Sequence, residues 1–366
     1  MLILLKSEIL LGVALVFAAA GFLFEHALLQ AGQMAALAGA AVLVFAIVLA
    51  SLRVAHHAEV LAAKVGDPYG TMILTLSAVL VEVIILAIMM SGEEISPTLV
   101  RDTIYSAVML DINGILGLAA LLGGLKHGEQ SYNDDSSRTY SVMILTAMGI
   151  SMIVPEFVPQ AKWHFYSAFT IVAMVTLYAV FLKMQVGVHS YFFSYSYPKR
   201  EHSKREGVEN HTSEDEPVAA SITILIIGII IIGALAEIMS GLLTAGLKGS
   251  GAPPILAAIV VAAISASPEI MTAMRAALAN RMQAVVNIAL GASLSTVILT
   301  VPVMEAIALY TGQPFIMAMT PVQTVMVTIT LIVAAINLND GETNAIEGMT
   351  HFVLFATFVM LSFLGL

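Results

Sequence analysis

The chain has 366 residues, 59% of them hydrophobic and only 11% charged, with a mean hydropathy of +0.94 and a net charge of −10 at pH 7. A soluble domain carries about 25% charged residues, so this chain lacks the polar surface to cover a fold in water, and a lipid solvent removes that need. The negative charge argues against nucleic acid as a partner, and the absence of cysteine excludes disulfides, thiolate metal sites and cysteine nucleophiles together.

Apolar runs of about 18 residues or more read as transmembrane helices, and eleven of them follow one another along the chain. The first, 8–24, has a long apolar part and no clean small-residue cleavage site after it, so it is expected to stay as an accessory helix and not to be removed as a signal peptide. Next come 32–53, then 69–91 with Glu82 near its middle, 103–124 with Asp111 and Asn113, 139–157 and 163–185. A soluble stretch follows, "YSYPKREHSKREGVENHTSEDEP" (195–217), whose acidic cluster Glu206, Glu209, Glu214, Asp215 and Glu216 reads as a solvated linker or a surface that gathers cations. The remaining runs are 218–244 with Glu237, 252–279 with Glu269, 283–309 with Ser293, 319–337 and 349–366. Glu305, near the end of 283–309, is read as an entrance or surface charge. The expected fold is an all-α polytopic membrane protein with about 11 transmembrane helices.

Lys and Arg set the orientation. With the N-terminus inside, eleven basic residues fall on the cytoplasmic side and three (Arg101, Lys162 and Lys248) on the other. This places the N-terminus in the cytoplasm of a cell whose inner membrane the chain spans repeatedly, and the C-terminus outside.

Two parts of the chain share a pattern of polar exceptions. When Arg101 is set against Arg281, Asn113 falls opposite Ser293, and each arginine follows a run with a mid-span glutamate. The division is an N-terminal accessory helix (1–31), a first five-helix repeat (32–190), an acidic cytoplasmic linker (191–217) and a second five-helix repeat (218–366). An odd number of spans per copy makes the two repeats inverted, a common build of secondary transporters whose sites lie near the bilayer midplane.

A charged side chain at the bilayer centre costs about 2.5–3.5 kcal/mol on insertion scales, so it is kept where it faces a cavity, a partner or an ion. Glu82 and Glu269 are the principal candidates, for metal and for protons alike. Pro268 removes a backbone hydrogen bond and frees a carbonyl near Ile264 as a further ligand. Ser265 and Ser267 stand beside it, Asn113 and Ser293 are candidate second ligands, and Asp111 and Glu237 are candidate ion-path residues. A hard divalent cation such as Ca²⁺ takes six to eight oxygens; once it leaves, two bare carboxylates in low dielectric repel each other and protons enter. Competition for one site then becomes exchange of metal for protons.

An enzyme is not expected. His56, His57 and Glu59 do not form a His-Glu-x-x-His motif, and no Walker-type nucleotide loop is present. No cofactor is implied beyond the transported ions, and the partners are a metal cation, protons and the bilayer, with a homo-oligomer compatible.

Three stretches carry a family resemblance: "HAEVLAAKVGDPYGTMILTLSAVLVEVI" (57–84), "ISASPEI" with "NIALGASLSTVILTVPV" (264–303), and "NDGETNAIEG" (339–348). They resemble the cation/proton exchangers of the calcium/cation antiporter superfamily, in particular the ChaA-like bacterial calcium/proton antiporters. The resemblance implies an inverted-repeat fold with alternating access, with Glu82 and Glu269 as the paired cation- and proton-binding residues and Asn113 and Ser293 as polar support. Many such exchangers carry Gly-Asn before each glutamate, where this chain has Ala78-Val79 and Ser265-Ala266. The activity implied is export of cytoplasmic Ca²⁺ against protons, or Na⁺ or K⁺ against protons at the same site.

Overall fold

The computed structural model describes residues 8–65, 69–90, 96–186, 217–312 and 315–366, and it is nearly all helix. In chain order the helices are α1 (Ile9–Gln30), α2 (Gln33–Val65), α3 (Tyr69–Met90), α4 (Leu99–His127), α5 (Asp134–Phe157), α6 (Trp163–Val186), α7 (Val218–Leu247), α8 (Ile255–Ser265), α9 (Ser267–Leu278), α10 (Met282–Thr311), α11 (Pro321–Asn337) and α12 (Ala345–Phe363). Among the described residues, eight are long and apolar enough to cross a membrane, and the bent pair α8–α9 makes a ninth if it is one span. The apolar part of α3, Thr75–Met90, and α11 are shorter.

Burial separates centre from periphery. The apolar window is 72% buried in α4 and 67% in α10, against 22–39% in the other long helices, so α4 and α10 form the core that the rest surround. The outer surface carries Phe22, Leu23, Phe157, Phe165, Ile230, Ile336 and Phe363, all well exposed. An apolar surface of this extent has lipid as its natural solvent. On one flank, α2 packs along α7, and α1 lies against both.

The second helix runs past the expected boundary of 53 to Val65. Its extension, "VAHHAEVLAAKV", has four Ala among its twelve residues and no Gly or Pro, which favours helical geometry without an apolar solvent. There Arg53 pairs with Glu8 at 2.5 Å, and His57 Nε2 lies 3.2 Å from the same carboxylate. Burial raises the Glu8 carboxyl, but Arg53 and His57 outweigh it and hold it below the usual range. This clip between α1 and α2 is therefore complete above the carboxylate range and is lost as pH falls through it. The acidic linker 191–217 lies, up to residue 216, outside the described residues.

The "NDGETNAIEG" stretch has a mechanical account. Residues 130–131 and 342–343 form β1 and β2, an antiparallel ribbon pairing Gln130 with Thr343 and Ser131 with Glu342. Gly341 turns the chain with φ +79°. Asn344 caps α12, its Oδ1 accepting from the backbone N–H groups of Ile346 and Glu347 at 2.9 and 3.1 Å. Gly348 then lets α12 lie directly on α4: a Cβ there would stand 2.2 Å from the backbone nitrogen of Leu121. Gly348→Ala is expected to lower the thermal unfolding midpoint in detergent by an overpacking cost of about 1–3 kcal/mol. Gly12→Ala, where a Cβ meets nothing within 4 Å, serves as the control that leaves the midpoint unchanged.

Candidate functional site

Glu82 lies well inside α3 and is 3% exposed. Its Oε2 accepts hydrogen bonds from Thr296 Oγ1 at 3.0 Å and Thr300 Oγ1 at 3.2 Å, while Oε1 is buried with no protein partner. Both threonines sit on a π-turn, Thr296–Thr300, inside α10. A π-turn closes i→i+5 hydrogen bonds and so holds more residues than an α-turn, and such turns gather at functional sites. Here it carries two hydroxyls to one carboxylate oxygen.

Glu269 is presented differently. Pro268 breaks the span at Ala266, α8 and α9 meet at 56°, and Glu269 falls in the first turn of α9. The positive end of that helix dipole favours a negative charge there. One carboxyl oxygen meets its own backbone N–H, and Oε2 is buried with no partner. The carbonyl of Ile264, expected to be free, accepts a hydrogen bond from Ser267 Oγ at 2.8 Å. Ser265 Oγ donates to the carbonyls of Val261 and Ala262 at 3.2 and 3.1 Å. The two serines thus spend their protons on bracing the break, and their oxygens keep lone pairs.

A third carboxyl joins these two. Asp111 is 2% exposed on a π-turn of α4, Leu110–Leu116, and its Oδ2 accepts from Ser293 Oγ at 3.1 Å. Asp111 interacts electrostatically with Glu269 and with Glu82, and Glu269 with Glu82. Three acidic side chains from α3, α4 and the α8–α9 break therefore share one buried region. Among the described residues no group of three His, Asp or Glu side chains converges as closely as a closed metal cage requires. The acids stand in separate walls of the site, with Glu82 Oε1 and Glu269 Oε2 as the unsatisfied oxygens that a cation or protons would meet.

The other candidates divide. Ser293 belongs to this region through Asp111. Asn113 is fully engaged elsewhere: its Nδ2 donates to Thr330 Oγ1 at 2.8 Å and its Oδ1 accepts from His351 Nδ1 at 3.0 Å, tying α4 to α11 and α12. Glu237 is on the exposed face of α7. Glu305, read from sequence as an entrance or surface charge, is instead 2% exposed and accepts from Ser167 Oγ of α6 at 3.3 Å. Thr296 and Thr300 escaped the reading of the sequence, although their spacing from Ser293, three and then four residues, sets all three near one side of a helix.

A family model described as sodium/calcium exchanger protein matches residues 35–187 and 220–364. The sodium-potassium/proton antiporter ChaA of Escherichia coli (strain K12) is 32% identical over 328 residues, which cover 87% of this chain and 86% of that one. A calcium/proton antiporter of Aphanothece halophytica is 22% identical over 315 residues, 83% of each chain. Among solved structures, the selenium-substituted Ca²⁺/H⁺ antiporter protein YfkE matches with a TM-score of 0.71 at 16% identity, over 96% of this chain and 99% of that one. At that identity the likeness speaks for the fold.

Asn113→Leu is expected to strand His351 and to leave Thr330 with the weaker Met109 Sδ contact alone, a lost buried hydrogen bond being worth about 1–3 kcal/mol. Denaturation in detergent should show a loss of about 2 kcal/mol or more, and unchanged stability would remove the bracing role.

Proposed function

The chain belongs to the sodium/calcium exchanger protein family, and from that premise we propose that it is a secondary-active antiporter exchanging cytoplasmic Ca²⁺ for protons across the cell's inner membrane by alternating access. The observation that carries the reading is the convergence of Glu82, Asp111 and Glu269 from separate elements on one buried region. All-oxygen donors, carboxylates above all, suit a hard cation. With the cation present, its charge offsets theirs; with the cation gone, two or three bare carboxylates so placed repel and must take up protons. Metal and protons then exclude each other, and that exclusion is the coupling.

The two-repeat division, 32–190 and 218–366 joined by the linker 191–217, belongs to the same proposal, with the accessory helix 1–31 outside both. Support comes from the π-turn within each of α4 and α10, the helices that follow the two glutamates. Inverted copies of this kind expose a shared midplane site to one face at a time. In this arrangement Glu82 and Glu269 bind both ion types, Asp111 and Ser293 shape the field between them, and Ser265 and Ser267 offer oxygens at the break. The N-terminus is cytoplasmic and the C-terminus outside.

A second reading, Na⁺ or K⁺ against protons at the same site, is favoured by the name of the Escherichia coli relative. A monovalent cation balances fewer of the carboxylates, so more of them stay protonated while it is bound. Liposomes carrying the purified protein and a preset pH gradient separate the two readings by which added cation collapses the gradient. Glu82→Gln and Glu269→Gln are each expected to cut exchange by about a hundredfold, in line with ~3 kcal/mol for removing one partner of a buried charged contact. Near-normal exchange in either variant would refute the role of that residue.

A further inference from the structure

Glu305 has no part in the site described above, yet it is enclosed as deeply. It lies five residues beyond Thr300 on α10, about 7.5 Å further along the helix axis. It stands on the inward stripe Val301, Met304, Glu305 and Ala308, and Gly312 ends the helix two turns on. Its Oε1 accepts from Ser167 Oγ of α6, and its Oε2 is buried with no partner. Beside this stripe, Pro302, Val303 and Ala306 line an apolar groove together with Ile171 and Val175 of α6, and that groove offers the carboxyl no polar partner. The helix that carries Glu82, α3, packs against both the π-turn and this following turn of α10, and so forms a common wall between the two carboxyls.

Counting oxygens identifies the ligand. A calcium ion needs six to eight, and the side chains here offer one carboxyl and one hydroxyl among apolar neighbours. That is too few for a metal cation and enough for a proton. The titratable groups on the elements packed at this turn are His164, Tyr166, Tyr178 and Lys183 on α6, Glu82 on α3 and Tyr310 on α10 itself; of these, Tyr166 interacts electrostatically with Glu305.

We propose that Glu305 is a proton-binding station between the Thr311 end of α10 and Glu82, loading or unloading the protons that Glu82 exchanges and never holding the metal. The inference rests on the antiporter reading. On the orientation read from Lys and Arg, the station lies toward the outer face, where protons enter.

The test uses purified full-length protein in liposomes with radioactive Ca²⁺ in two modes. One is uptake driven by a pH gradient; the other is Ca²⁺/Ca²⁺ self-exchange at equal pH, which needs no proton. Glu305→Gln keeps the size of the side chain but cannot titrate. It is expected to slow gradient-driven uptake by about a hundredfold, the lower end of what a positioned proton-transfer group contributes, while self-exchange stays at the wild-type rate. Glu305→Asp, which still titrates, should restore much of the loss. Normal uptake by Glu305→Gln would overturn the proposal and make the carboxyl a structural tie to Ser167. Loss of both modes would overturn it too, by placing Glu305 in the cation path or in the packing. Wild-type protein that exchanges no cation for protons would instead sink the antiporter reading, and this proposal with it.

Discussion

A carboxyl group in an oil-like layer must be met by hydrogen-bond donors, by a partner charge or by a proton, and the centre of this molecule is built around that demand. A regular α-helix has no spare backbone donors to give, since each N–H is already committed four residues back. Helices around the site therefore leave regular geometry where they meet an acid. Asp111 stands on a π-turn, Glu82 receives two hydroxyls from another, and Glu269 opens the helix that follows a proline break. The irregularities cost local stability, and the deeply buried packing of α4 and α10 around them supplies the compensation.

The same demand explains how the surroundings divide into stiff and changeable parts. Asn113, Thr330 and His351 satisfy one another across three helices, and Gly348 brings α12 onto the backbone of α4. Those contacts tie α4, α11 and α12 together, and of the three polar side chains His351 alone keeps an atom, Nε2, buried without a partner. In the acidic region the unpartnered atoms are carboxyl oxygens, one of Glu82 and one of Glu269, each buried without a protein donor. Buried polar atoms left in that condition are rare, and a site that must release what it binds is a natural place for them.

Much of this was legible in the sequence. Acidic residues inside apolar runs stand out because burying them is so costly, which is why Glu82, Asp111 and Glu269 could be named from spacing alone. The all-helical architecture followed from the same runs. What spacing could not supply was rotation. Aligning the halves matched Asn113 with Ser293, but Asn113 lies inside a π-turn whereas Ser293 precedes one, and the first joins α11 and α12 while the second meets Asp111. Thr296 and Thr300 were hidden for another reason. Threonines in apolar helices commonly return their hydroxyl to the carbonyl four residues back, as Thr170, Thr328 and Thr357 do here. Nothing in a sequence marks the pair that faces a carboxylate instead. Glu305 misled because its nearness to a helix end suggested water, whereas α6 covers it.

The far end of α9 is also held. Lys126 Nζ and His127 Nε2 both donate to the carbonyl of Leu278 at 2.9 Å, and Gln130 Nε2 donates to that of Ala277 at 3.0 Å. The half-helix is thus a rod of about 18 Å with an acid at its tip and a polar collar at its base. A rod so short does not flex along its length. Any swing of Glu269 toward one face or the other must carry the tail of α4 along as a single lever, or else pull Leu278 out of its collar.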